Sequence, residues 1–98
     1  MSKSILQEDK TYCYVHQKYL GVDVLACHEH HVIYGSANRK LSEKYGLKIY
    51  VCLNCHNAIH HKHFHDADLH KIAEQAWLDY YNKTIEDWIR IFGKNYLD

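Results

Sequence analysis

The sequence predicts a small α+β domain stapled by bound metal, and three observations carry that prediction. Residues 22–34 and 47–53 are rich in Val, Ile and Leu, each follow a glycine and read as strands, whereas the later chain switches to a helical period. The run Cys52-Leu-Asn-Cys55-His56-Asn-Ala-Ile-His60 puts a Cys-x2-Cys knuckle directly in front of two histidines spaced for one helical face. Finally, a chain of 98 residues is one domain with a core small for its length, so a covalent or metal staple is expected.

In chain order, residues 10–21 hold Cys13-Tyr-Val-His16, half of a second knuckle. Strands are expected around 24–26 and 30–34, after which Gly35-Ser36 breaks the run. Ser36 is placed to cap a short helix over 37–45, with Gly46 as its stop, and 47–53 reads as the next strand. A helix starting near Asn54 carries His56 and His60 on one face. Beyond a His-rich turn, Asp66 caps a stronger helix whose Leu69, Ile72, Ala73, Ala76, Trp77 and Tyr80 follow the 3.6 period and read as core. Thr84 with Asp87 forms a capping box for a last helix, with Ile85, Trp88, Ile89 and Phe92 inward and Gly93 at the exit. No linker, repeat or second domain interrupts residues 1–98. The strands and the His-bearing helix occupy about 22–64, and the C-terminal helices about 66–93.

No apolar signal segment follows Met1, since residues 2–14 are polar and mixed in charge, so the four cysteines read as reduced metal ligands in a cytoplasmic protein rather than as disulfides. No apolar run approaches the roughly 18 to 20 residues of a membrane span. Formal charge is zero, but residues 1–65 carry eight Lys/Arg against five Asp/Glu, and Arg39, Lys40, Lys44 and Lys48 concentrate the positive charge. Of ten histidines, six lie between His56 and His70 and three between His28 and His31, where Ala58, Ile59, Phe64 and Leu69 interrupt them as folded sequence would.

Two constellations carry chemistry. Zinc favours four Cys/His ligands in a tetrahedron, and Cys13, His16, Cys52 and Cys55 supply them as two short-spaced pairs, with Cys27 or His28 as alternatives to His16. Otherwise Cys27, lacking a partner at knuckle spacing, reads as a small buried core residue. Adjacent His30 and His31 on a strand must point to opposite faces. One can then hold a metal with His56 and His60, leaving coordination positions open, while the other deprotonates a water, a task suited to imidazole near neutral pH. Three imidazoles favour zinc, nickel or copper on affinity, whereas phosphate chemistry also uses magnesium or manganese. Arg39 and Lys40, near the start of the 37–45 helix, are placed to contact DNA phosphates.

The His30-His31 pair, the strand at 47–51 and Cys55-His56-x3-His60 entering a helix resemble the HNH endonuclease family, whose ββα-metal (His-Me finger) core is shared with the nuclease colicins. The segment His30-His31-Val-Ile-Tyr-Gly-Ser-Ala-Asn-Arg-Lys-Leu-Ser-Glu-Lys-Tyr-Gly-Leu and the ending Ile-Phe-Gly-Lys-Asn-Tyr-Leu resemble, more narrowly, small HNH-like proteins encoded by bacteriophages and prophages. The resemblance implies His30 as first metal ligand, His31 as general base, and His56 with His60 or His63 as remaining ligands. It also implies Asn38 as the residue pinning the loop between strands, a catalytic divalent ion (magnesium, manganese, nickel or zinc) beside the structural zinc, and hydrolysis of DNA phosphodiesters. DNA held mainly by its backbone, phage or host recombination proteins as partners, and the cytoplasm of a bacterial host follow from the same likeness. The chemistry also admits a non-catalytic zinc-stapled DNA-binding or recombination accessory protein, or a metal-handling protein using the His-rich turn. The oligomeric state stays open.

Overall fold

Two short strands, β1 (His28–His31) and β2 (Lys48–Val51), pair antiparallel in the computed structural model, which describes residues 3–97. The register sets His28 opposite Val51, Glu29 opposite Tyr50, His30 opposite Ile49 and His31 opposite Lys48. Because side chains alternate across a strand, one sheet face presents His28, His30, Ile49 and Val51, and the other Glu29, His31, Lys48 and Tyr50. The strand expected at 30–34 thus begins and ends earlier. Val32 still donates to the Leu47 carbonyl at 2.9 Å, but the chain then leaves the ladder, and Val32 and Ile33 are buried in the core. The strand expected at 24–26 is reduced to a single bridge between Tyr12 and Leu25, because that segment pairs with residues 11–13 rather than the sheet.

The strands are joined by α1 (Ser36–Tyr45), which has Gly35 rather than Ser36 at its N-cap. Gly46 ends α1 in the left-handed conformation (φ 74°), and a Cβ there would lie 2.2 Å from the Lys3 carbonyl oxygen, so glycine is required twice over. Then come α2 (Leu53–Lys62), α3 (Asp66–Tyr81) and α4 (Ile85–Phe92). The cap of α3 is His65 rather than Asp66, which is the first helical residue and turns its carboxylate to Tyr34 and His63.

A two-stranded sheet is marginal alone, and the helices supply the apolar mass. Ile33, Leu47, Ile49, Val51 and Ile59 pack with Leu69, Ala73, Trp77, Trp88 and Phe92 in one core. Trp88 stacks on Phe92 (centroids 3.9 Å apart) and meets Trp77 edge-on. The apolar line of α3 runs through Leu69, Ala73 and Trp77 to half-buried Tyr81, whose hydroxyl donates to the Tyr45 carbonyl, and Asp66 and Glu74 are buried beside it. Tyr80, expected inward, is therefore 67% exposed. Likewise α4 is eight residues long and buries only Trp88 and Phe92, leaving Ile85 and Ile89 substantially exposed; its Thr84–Asp87 capping box forms as the sequence predicts. Among the described residues, no helix is long and apolar enough to cross a membrane.

Candidate functional site

The cysteine cluster is assembled by the two ends of the metal-bearing half. Cys13 precedes a wide helical turn (His16–Leu20) that supplies His16, while Cys52 sits at the N-cap of α2 and Cys55 in its first turn. His16 Nδ1 lies 3.3 Å from Cys13 Sγ, 3.3 Å from Cys55 Sγ and 3.7 Å from Cys52 Sγ. Zinc bonds of about 2.3 Å to sulfur and about 2.0–2.1 Å to nitrogen give a tetrahedral S···N edge of about 3.6 Å, so the spacing suits that ion. Burial would raise the Cys13 thiol, but bonds from His16, the Cys52 amide and Cys55 outweigh it and bring it down to about 7. Burial and the neighbouring Cys52 and Cys13 push Cys55 up. Three crowded sulfurs do not all ionise unaided; a dication among them removes that conflict. Cys13, His16, Cys52 and Cys55 thus lie close enough to hold a structural metal such as zinc. Cys27 is exposed rather than a buried core residue, and neither it nor His28 joins the cluster.

On the sheet face toward α2, His30 converges with His56 and His60, with one ligand nitrogen of each within 4.8 Å of the others. His56 and His60 stand one turn apart, their Nε2 atoms 3.0 Å from each other, near the edge of about 3.3 Å expected between two imidazoles on one zinc. His30 is 2% exposed, and its Nε2 has no hydrogen-bond partner among the described residues. An orphaned buried nitrogen is costly unless something binds it, and a metal ion fits that need. Burial, then His60 and His56, push the His30 pKa down to about 4, so it is neutral and its lone pair is available near pH 7. Burial, His60 and His28 lower His56 likewise. His60 is exposed, so the group opens to solvent on that side. His63 is not brought to this group: it caps α2 in the left-handed conformation (φ 52°), and its Nδ1 is 3.3 Å from Asp66 Oδ2.

His31 lies on the other face. Its Nε2 is 2.9 Å from Glu43 Oε1 and 3.6 Å from Glu29 Oε1. Lys48, directly across the sheet, reaches Glu43 Oε2 at 3.0 Å and Glu29 Oε2 at 3.3 Å. Burial acts to lower the Lys48 pKa, but its bonds to Glu43 and Glu29 outweigh that and hold it above the ordinary lysine value. Lys48 is 1% exposed, so it does not contribute to a positive surface with Arg39 and Lys40. Those two are exposed on α1 and line, with His31 and Glu43, a cleft of about 590 Å³. Asn38 sits in the first turn of α1.

Sequence reasoning did not single out Glu29, Glu43 or Lys48 as a unit, nor Asp66 as the acceptor for Tyr34 and His63. A charged residue alternating with hydrophobics in β2 was the available signal for Lys48, but it is the same signal an exposed lysine gives. No protein-family model matches the chain, and no curated protein or solved structure is significantly similar to it.

Proposed function

We propose that this chain is a metal-dependent endonuclease of the HNH type that hydrolyses DNA phosphodiester bonds, in phage or prophage DNA processing or recombination within a bacterial cytoplasm. The observation carrying this reading is the convergence of His30, His56 and His60 on one side of β1, with His31 as the next residue on the opposite side. A divalent ion held by the three imidazoles would supply a Lewis acid that stabilises charge on the phosphate and the leaving oxygen.

The chain's own residues do the rest. His31, last in β1, takes a proton from the attacking water. Arg39 and Lys40 hold a flanking backbone phosphate over the cleft they share with His31, and the cysteine cluster keeps α2, and therefore His56 and His60, in register with β1. Contacts of this kind read phosphates rather than base edges, so little sequence preference is expected.

The test is cleavage of supercoiled plasmid by metal-stripped protein repleted with magnesium, manganese, nickel or zinc, beside a folded His31→Ala control that retains structural zinc. Cutting by the wild type that the control lacks supports the reading. Absence of cutting with every ion, by correctly folded protein, transfers it to a non-catalytic zinc-stapled DNA-binding or recombination accessory protein.

A further inference from the structure

The face of the sheet turned away from the three imidazoles carries a group of charges whose arrangement is too specific for a solvated surface. Glu29 and His31 lie two residues apart on β1, Lys48 is the cross-strand partner of His31, and Glu43 descends from α1. Each carboxylate uses its two oxygens differently: Oε1 faces His31 Nε2, at 2.9 Å for Glu43 and 3.6 Å for Glu29, and Oε2 faces Lys48 Nζ, at 3.0 Å and 3.3 Å. Lys48 is almost wholly buried, and a buried ammonium needs its anionic partners to remain ionised. Glu43 is thereby kept as a carboxylate, which only accepts hydrogen bonds.

We infer that Glu43 is a positioning residue that fixes His31 as its Nε2–H tautomer, because an ionised carboxylate 2.9 Å from Nε2 obliges that nitrogen to donate and leaves Nδ1 as the basic atom of the ring. Lys48 and Glu29 complete the device: Lys48 orients both carboxylates, and Glu29 stands as the more distant acceptor. This deepens the nuclease reading and rests on it for the role of His31, since it names the nitrogen that would take the proton from water. The held tautomer itself does not depend on activity.

Glu29, His31 and Glu43 also lie close enough to chelate a cation. Lys48 decides between the two arrangements. Its ammonium already bridges the carboxylates from the buried side, supplying the positive charge that a cation would bring.

The experiment is long-range ¹⁵N–¹H NMR of the histidine rings in the zinc-loaded full chain, with plasmid-cleavage kinetics on the same samples, for wild type, Glu43→Gln and Glu43→Ala. Wild-type His31 should read as Nε2–H. Glu43→Gln keeps one oxygen, which the buried Lys48 ammonium claims, so its amide N–H turns to Nε2 and the ring should shift toward Nδ1–H, and Glu43→Ala should leave a tautomer mixture. With the fold intact, kcat should fall roughly 10- to 100-fold in Glu43→Ala and at least as far in Glu43→Gln, with KM within about twofold, as for loss of an orienting partner. Should Glu43→Ala fail to fold, Glu43→Gln decides by its shift toward Nδ1–H and its kcat. An Nδ1–H or freely mixed tautomer in the wild type overturns the inference. So does full kcat in Glu43→Ala, or loss of the Nε2–H signal when manganese-free wild type is titrated with zinc beyond its cysteine cluster. If the wild type cuts no DNA with any ion, the nuclease reading falls while the NMR still decides whether Glu43 holds the ring.

Discussion

Opening the cysteine cluster should remove a large part of the stability of this chain. His16 and Cys55 are 39 residues apart, so an ion binding both closes a loop of that length in addition to neutralising three sulfurs. Treated as a cross-link, the loop-closure entropy alone is about 4 kcal/mol at 25 °C. A domain of this size has a total stability of about 5–15 kcal/mol, so the loss is a substantial share of the whole. At about 4–8 °C per kcal/mol, it corresponds to a fall in Tm of roughly 15–30 °C. The assay is thermal unfolding by circular dichroism, with zinc content measured on the same samples, for wild type, wild type with a strong chelator, Cys55→Ser and His60→Ala. Cys55→Ser and chelation should each lower Tm by that amount. His60→Ala should keep one zinc per chain and stay within a few degrees of wild type. Full zinc occupancy in Cys55→Ser, or a fall below about 5 °C in a sample shown to be zinc-free, would refute the staple.

Three further outcomes follow from the packing and the titrating groups. Trp88→Ala removes a wholly buried ring stacked on Phe92 and its indole bond to the Lys94 carbonyl, and should cost about 3–5 kcal/mol in urea unfolding. Thr84→Ala breaks the exposed capping box of α4 and should cost about 1 kcal/mol by the same measurement, with Thr84→Ser restoring most of it. His30 has a folded pKa of about 4 against about 6.5 unfolded, so the unfolded chain binds more protons between those values and stability falls as pH drops through that window. The full shift is worth about 3 kcal/mol. Because cysteine ligands also take up protons as zinc leaves, the quantity to follow is the stability difference between wild type and His30→Gln, which should move against the wild type between pH 7 and pH 4.5; a constant difference would remove His30 as the cause.

What the sequence shows plainly is whatever is encoded at short range. A Cys-x2-Cys at a helix start, two histidines four residues apart and Thr84 with Asp87 each specify their geometry through one turn of backbone, and the structure places them as that turn requires. The exposed Tyr80 and Ile89 were misread for a related reason. Helical period gives a broad apolar stripe, but which edge of it is buried depends on the neighbouring helix, and here Leu69, Ala73 and Trp77 turn inward with half-buried Tyr81, not Tyr80, continuing their line.

The His31 face was hidden because it depends on register, and a one-residue slip of β1 against β2 would exchange the two faces. With α1 inserted between the strands, no hairpin turn fixes that register. It is held instead by bonds just beyond each end of the ladder, from the Cys27 amide to the Val51 carbonyl and from the Val32 amide to the Leu47 carbonyl. Cys52 follows β2 immediately, so an ion shared with Cys13 and His16 anchors that strand from outside the sheet. The staple and the imidazole site are therefore coupled through register: zinc loss should loosen the alignment that keeps His30 beside His56 and His60 while His31 faces Glu43. Histidine-ring NMR across a chelator titration should show the His31 tautomer and the His30 environment changing together with zinc release, and an unchanged His31 signal in folded, zinc-free protein would separate the two.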